Sequence, residues 1–259
     1  MSPHVADSPS SGFLATIPPR LSIDDKLKQA YWSHIPFFES GTLPHLDIRL
    51  RTVAKQIRAH CHADIGSDHG KLLVALLHAG RIQSAIAIEN KLYPFENSRR
   101  ALIGLNGEAR YADGLHGLDV GEAESLSICG MGGASMVGIL KAIPQRVPHQ
   151  VVLQPNCDEE HVRRWGFDNG FHLVDEQIAW SHRPYVVLTY RSASGLDPVY
   201  AKQDRDAAFM FGPINLARRD QPFIERLIEE RKYLLTLNRL SDTTHHRLRL
   251  IELVLAKQT

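Results

Sequence analysis

Ala63-Asp64-Ile65-Gly66-Ser67-Asp68-His69-Gly70 follows a short apolar run and opens onto a helical stretch. Cys61–Ile65 reads as a strand and Lys71–Ala79 as a helix, so the octapeptide is the turn between them. In a doubly wound sheet such a turn lies at the carboxyl end of a strand, where ligands bind. Gly66 permits close approach of a ligand to the backbone and supplies an unusual φ if the turn needs one. Outward from this turn the same alternation continues. Strands are expected at Ala85–Glu89, Ala109–Ala112, Leu126–Cys129, Val151–Gln154, Val174–Trp180 and Pro184–Tyr190. Helices are expected at Pro94–Leu105, Ser135–Ile143 and Glu159–Asn169. The pattern predicts an α/β fold, a Rossmann-like and mostly parallel sheet with helices on both faces. Only Ser181-His182-Arg183 separates the last two strands, which predicts a final antiparallel hairpin.

Three regions are expected. Residues 1–47 read as an N-terminal extension, interrupted by Pro18, Pro19, Pro36 and Pro44, with one short helix near Ile23–Trp32. Residues 48–194, opening on a helix at Ile48–Ile57, form the Rossmann-like domain. Residues 195–259 form a C-terminal helical region, punctuated by Gly212-Pro213. There Phe223, Leu227, Leu234 and Leu237, and again Leu248, Ile251 and Leu255, recur at helical spacing. These predict a hairpin of helices near Pro222–Leu240 and Thr243–Lys257, the second capped by Ser241 or Asp242.

Composition narrows the function classes. With 43% hydrophobic and 23% charged residues in 259, the chain can bury a full core. No apolar run approaches the length of a membrane span, and the N-terminus lacks the pattern of a secretory signal. Cys61, Cys129 and Cys157 are odd in number and widely spaced, which fits a reducing, cytoplasmic setting. The formal charge of +1 excludes a strongly basic protein that coats nucleic acid; any RNA contact must come from a local patch.

The chemistry of the turn selects its ligand. A GxGxxG dinucleotide fingerprint would place its second glycine where Asp68 stands, and a carboxylate there would repel a pyrophosphate. S-adenosylmethionine carries a sulfonium, an ammonium and one carboxylate, a mixture that Asp64 and Asp68 suit. Glu89 closes the next strand 25 residues after Asp64, near the ~20-residue offset at which an acidic side chain grips ribose hydroxyls. Asp113, in Ala112-Asp113-Gly114, ends a third strand and is placed to hold the adenine amino group.

At these residues the chain resembles the bacterial tRNA (adenine(22)-N1)-methyltransferases. The likeness is carried by 63–69, Asp113-Gly114-Leu115, Ile128-Cys129-Gly130-Met131-Gly132-Gly133, Leu153-Gln154-Pro155-Asn156 and Met210-Phe211-Gly212-Pro213, and spans Ile48 to the mid-230s. Departures are Cys129, where Ala is more usual, Gly70-Lys71 in place of a more apolar pair, and a longer N-terminal extension. The resemblance implies a class I methyltransferase sheet, which usually ends in an antiparallel hairpin, and a C-terminal helical region that helps hold tRNA. It implies methyl transfer from S-adenosylmethionine to N1 of an adenine. It places the donor on Asp64, Gly66, Ser67, Asp68, His69, Glu89, Asp113, Gly114, Gly130 and Met131, and the substrate base beside Gly132, Gly133, Gln154, Pro155 and Asn156. Asp68 is the candidate catalytic group, acting as a base or electrostatically on the positive charge that methylation leaves on the base.

Other candidates carry less. His60, Cys61, His62 and His69 look like metal ligands, but alternation along a strand turns Cys61 away from its neighbours, and no metal is expected. Phe209, Phe211 and Trp165 read as core rather than stacking platforms. Three arginine pairs, Arg99-Arg100, Arg163-Arg164 and Arg218-Arg219, are solvated faces unless they line one rim. Two further readings stay open: a small-molecule methyl acceptor, and a non-catalytic RNA-docking module. The oligomeric state is not legible.

Overall fold

The computed structural model describes residues 44–256; the helix expected near Ile23–Trp32 falls outside them. Chain order runs α1 (Ile48–Gln56), β1 (Ala59–Ile65), α2 (Lys71–His78), β2 (Ile82–Glu89), α3 (Leu92–Ala101), β3 (Gly107–Tyr111), β4 (Ser125–Cys129), α4 (Gly133–Ala142), β5 (Gln150–Gln154) and α5 (Glu159–Asp168). It continues with β6 (Phe171–Trp180), β7 (Pro184–Ser192), α6 (Arg205–Phe211), α7 (Pro213–Arg218), α8 (Gln221–Leu235) and α9 (Asp242–Ala256). The seven strands lie in the order β3-β2-β1-β4-β5-β7-β6. β3 through β5 pair in parallel, and β7 runs antiparallel to both β5 and β6. The expected sheet and its closing hairpin are therefore present.

The order reverses between β1 and β4. Crossovers from β1 lead one way along the sheet and those from β4 lead the other, which leaves a crevice at the carboxyl ends of these two strands. Each face is covered because alternate strand residues are apolar on both sides. Ala63, Ile65, Leu126, Ile128, Val151 and Leu153 pack on Met136, Leu140, Val162 and Trp165. On the other face Ala85, Ala87, Val152 and Val187 pack on Val53 of α1, on Ile57 just after it, and on Leu72, Leu73 and Leu76 of α2. Among the described residues no helix is long and apolar enough to cross a membrane.

Boundaries differ from the sequence expectation where local turns intervene. The helix expected to reach Leu105 ends at Ala101, and Gly104 turns the chain back at φ +78° toward β3. Two short helices, α6 and α7, were not anticipated, because seven and six residues are too few to display a 3.6-residue period. Asp204 caps the first by accepting from Ala207 N–H at 2.9 Å. Ser241, of the two cap candidates, receives the Thr244 N–H at 3.2 Å.

The Met210-Phe211-Gly212-Pro213 run is the joint between these helices. Glu176 of β6 and Arg163 of α5 are fully buried and joined by an ion pair of 2.8 Å. Arg163 also donates to the carbonyls of Phe209 and Met210, and the second Glu176 oxygen accepts from Asn215 N–H at 3.2 Å. A Cβ on Gly212 would overlap the Glu176 carboxylate, and the residue sits at φ +95°, so only glycine fits. Pro213 then opens α7 at a position where no N–H is needed. Phe209, Phe211 and Trp165 are buried, as expected of core aromatics.

Candidate active site

β1 carries an unusual polar face. His62 and Asp64 point to the same side, opposite Ala63 and Ile65, and both are buried. Parallel pairing sets His62 beside Ser125 and Asp64 beside Ser127. The Ser127 hydroxyl donates to Asp64 Oδ1, so it must accept from His62 Nε2 at 2.9 Å. That leaves His62 Nδ1 to accept from the Ser125 hydroxyl at 2.6 Å. This assignment uses a neutral ring, and burial lowers the His62 pKa to about 3. Burial raises Asp64 to about 6, opposed chiefly by the Ser127 hydrogen bond and further by the Arg49 charge. The column thus orients a carboxylate at the end of β1, immediately before the turn.

The turn itself is bent by three left-handed residues: Gly66 at φ +75°, Asp68 at +58° and Gly70 at +65°. Asp68 is not glycine, so its backbone is held in a sparsely populated region by its surroundings. Glu89, at the end of β2 and 6% exposed, accepts the Asp68 N–H, and the Ser98 hydroxyl donates to the Asp68 carbonyl at 3.3 Å. The Asp68 carboxylate is left exposed, 3.4 Å from His69 Nε2. Burial lifts Glu89 to about 7, the Asp68 N–H opposes that rise, and the nearby Asp64 and Asp68 carboxylates add to it.

Across the crevice lies the glycine run after β4. A Cβ on Gly66 would run into the Met131 methyl, so the two turns meet at that point. Gln154 is buried and its amide is already engaged: Oε1 accepts from Arg49 at 2.7 Å and from Gly130 N–H at 3.2 Å, and Nε2 donates to the Pro155 carbonyl at 2.7 Å. Exposed Asn156 donates from Nδ2 to the Gly130 carbonyl at 2.6 Å, and its N–H reaches the Met131 carbonyl at 2.8 Å. Gly133 is buried and its missing side chain makes room for the Asp158 carbonyl. A Cβ on Gly130 or Gly132 would instead meet Arg49 or Cys157 at ordinary contact distance, so Gly133 is the most tightly packed of the three. On the β2–β3 side, Asp113 is exposed and accepts from Asn90 Nδ2 at 2.9 Å, while Gly114 is buried against Ile139 at φ +53°.

The structure brings Asp64, Gly66, Asp68, Glu89, Gly130, Met131 and Asn156 to one edge, with Asp113 beside Glu89 through Asn90. Arg49, Asn90 and Ser127 escaped the sequence reading. Asn90 adjoins Glu89 and could have been found; Arg49 and Ser127 reach the site only through tertiary packing. Several of the paired arginines have carboxylate or carbonyl partners within the fold. Arg99 pairs with Glu96, Arg163 is buried on Glu176, Arg164 pairs with Glu160, Arg218 with Asp220, and Arg219 donates to the Val254 carbonyl. Among the described residues no group of three His, Cys, Asp or Glu could hold a metal ion.

These features fit a small ligand rich in hydroxyl and amino groups. The Ser67 hydroxyl is buried without a hydrogen-bond partner among the described residues; it lies near enough to Asp64 to weaken its pKa rise but makes no sound bond to it. The Glu89 carboxylate, bound once by a backbone N–H, keeps acceptor sites free for hydroxyl donors. Residues 46–188 match the model of a methyltransferase domain. The tRNA (adenine(22)-N(1))-methyltransferase of Bacillus subtilis (strain 168) is 30% identical over 219 residues, covering 80% of this chain and 92% of that protein. The crystal structure of the B. subtilis M1A22 tRNA methyltransferase TrmK superposes with a TM-score of 0.74 at 28% identity, covering 82% of this chain and 99% of that one. Streptococcus pneumoniae Sp1610, solved in complex with S-adenosyl-L-methionine, gives 0.71 at 26% identity, covering 82% and 100%. With its reversed-order sheet, its paired glycine turns and a relative matched over most of both chains, this protein belongs to the tRNA (adenine(22)-N1)-methyltransferase family.

Proposed function

We propose that the chain methylates N1 of adenine 22 in tRNA, with S-adenosylmethionine as donor, and that it works in the cytoplasm. The observation that carries this reading is the crevice between β1 and β4, where the Asp68–Glu89 lock faces the Gly130-Met131 turn. When bound, the donor supplies an electrophilic methyl group on a sulfonium. In this reading Glu89 holds the ribose hydroxyls, Asp113 the adenine amino group, and Asp64, Ser67 and the Gly66 backbone the amino-acid end. Gly114 and His69 flank these groups.

N1 of adenine has its own lone pair, so the chain's task is alignment more than activation. A target adenine stacked in RNA leaves its stack at a cost of a few kcal/mol. Gly130 and Gly132 leave space for the flat base beside Met131, and Pro155 shapes the wall behind it. The Asn156 side-chain oxygen, at the exposed end of its turn, accepts from the exocyclic amine of the target base. Gln154 does not reach the base; it holds Gly130 and Arg49 in register. As the N1–C bond forms and the S–C bond breaks, positive charge moves onto the base. The exposed Asp68 carboxylate stabilises that charge or takes a proton from the amine. Residues 48–194 carry the chemistry in this division of labour, and residues 195–259 help to hold the tRNA.

The test uses purified protein, methyl-labelled S-adenosylmethionine and unmodified tRNA transcripts, followed by nucleoside analysis. N1-methyladenosine in transcripts with A22, and none when that base is replaced, is expected. Donor binding without label in RNA would overturn the tRNA reading in favour of a small-molecule acceptor.

A further inference from the structure

The net charge supplies no general attraction for RNA, and the arginine pairs are engaged within the fold. A different group of cations stands at the rim of the crevice. β7 pairs antiparallel with β5, Leu188 opposite Leu153, so the start of β7 lies beyond the Gln154 end of β5. The β6–β7 hairpin therefore projects past the carboxyl edge of the sheet, beside the Gln154-Pro155-Asn156 turn. At its tip His182 and Arg183 are exposed. Tyr185 follows on the face that α1 covers, and its hydroxyl shares a hydrogen bond of 3.0 Å with His182 Nε2. The Arg183 guanidinium lies 4.7 Å from the centre of the Tyr185 ring, and that of Arg49 lies 6.0 Å from it.

The manner in which these cations are held matters. Arg183 makes no ion pair among the described residues. An aromatic face orients a guanidinium without cancelling its charge, whereas a carboxylate partner would neutralise it. Arg49 has Asp47 at 3.7 Å, but its nearer contact is the neutral Gln154 oxygen at 2.7 Å. Two cations thus flank one tyrosine ring, and one of them touches the turn that faces the methyl-acceptor side.

We propose that Arg183, Tyr185, His182 and Arg49 form a docking lip for the RNA backbone next to the target adenine. In this lip Arg183 takes a phosphate flanking the base, Arg49 takes the phosphate nearer the reacting centre, and His182 and Tyr185 hold Arg183 over the rim. Such contacts position the strand and carry no sequence information, so choice of the base remains with the crevice. The assignment rests on the tRNA reading above.

The experiment compares the full chain with its Arg183→Glu and Arg183→Lys variants. Arg183 is exposed at a hairpin tip, so folding is preserved, and donor affinity measured by calorimetry reports it directly. Affinity for an unmodified tRNA transcript is measured across a salt series. Arg183→Glu should weaken tRNA binding about fivefold or more and make the negative slope of log K against log salt shallower by about 0.7 to 0.9, the share of one phosphate. Arg183→Lys should retain the slope, and donor affinity should stay as in the parent chain in both variants. The lip is refuted if the parent methylates tRNA and Arg183→Glu changes neither affinity nor slope. If the parent binds donor yet never labels tRNA, the functional reading fails and the lip fails with it.

Discussion

Glu89→Gln tests whether the acidic end of β2 holds the methyl donor. In the free protein Glu89 is buried, and burial raises its carboxyl from 4.5 to about 7. A raised carboxyl pKa means that the fold binds the proton more tightly than the unfolded chain. The associated stability is present below about pH 4.5 and is lost as the pH rises through 7. Ribose hydroxyls donate to a carboxylate, so the donor binds the ionised form. Below pH 7 a proton must leave first, and donor affinity should fall by up to about tenfold per pH unit, each decade being ~1.4 kcal/mol. Above that pH it should be level. Asp64 reaches only about 6, so the interval between 6 and 7 reports Glu89. The glutamine variant should lose this slope and, at alkaline pH, bind the donor about 10- to 100-fold more weakly, the cost of one charge-assisted hydrogen bond of ~1.5–3 kcal/mol. Isothermal titration calorimetry from about pH 5.5 to about pH 8.5 measures both effects, and the variant controls for titration of the donor itself. A level profile for the parent chain, or the same slope in Glu89→Gln, would refute the contact.

Asp68→Asn separates charge from backbone strain, because asparagine, like aspartate, tolerates the left-handed φ of +58° better than other non-glycine residues. Single-turnover methylation should slow by about 10²- to 10⁴-fold with tRNA and donor affinities little changed, and an unaltered rate would remove Asp68 from catalysis. Glu176→Gln leaves the buried Arg163 cation without its counter-charge, so urea unfolding should report a loss of about 3–5 kcal/mol. Arg163→Met combined with Glu176→Leu should recover most of that loss; a single-variant cost below ~1 kcal/mol would show that the joint between sheet and C-terminal helices does not depend on this pair.

Much of the architecture was legible because it depends on local pattern. The 63–70 turn, the alternation on either side of it and the three-residue gap at 181–183 were enough to specify a mostly parallel sheet closed by a hairpin. That Asp64, Glu89 and Asp113 lie within or just after the ends of β1, β2 and β3 was readable from local pattern, and parallel strands present those ends at one edge. The short helices α6 and α7 were not legible, because they are defined by Gly212 packing on Glu176, a contact 36 residues away in sequence. His62 could be read only as a stray metal ligand, since its true partners, Ser125 and Ser127, lie on a strand more than 60 residues further on. Likewise nothing in the local sequence distinguishes Gln154, whose amide is spent inside the fold, from Asn156, whose side chain is exposed. Periodicity and turn chemistry act over a few residues, and that range determined the sheet and the place of its crevice. Which polar groups are satisfied, which charges are neutralised and which cations reach the rim depend on neighbours brought together from distant segments, and those the tertiary structure alone decided.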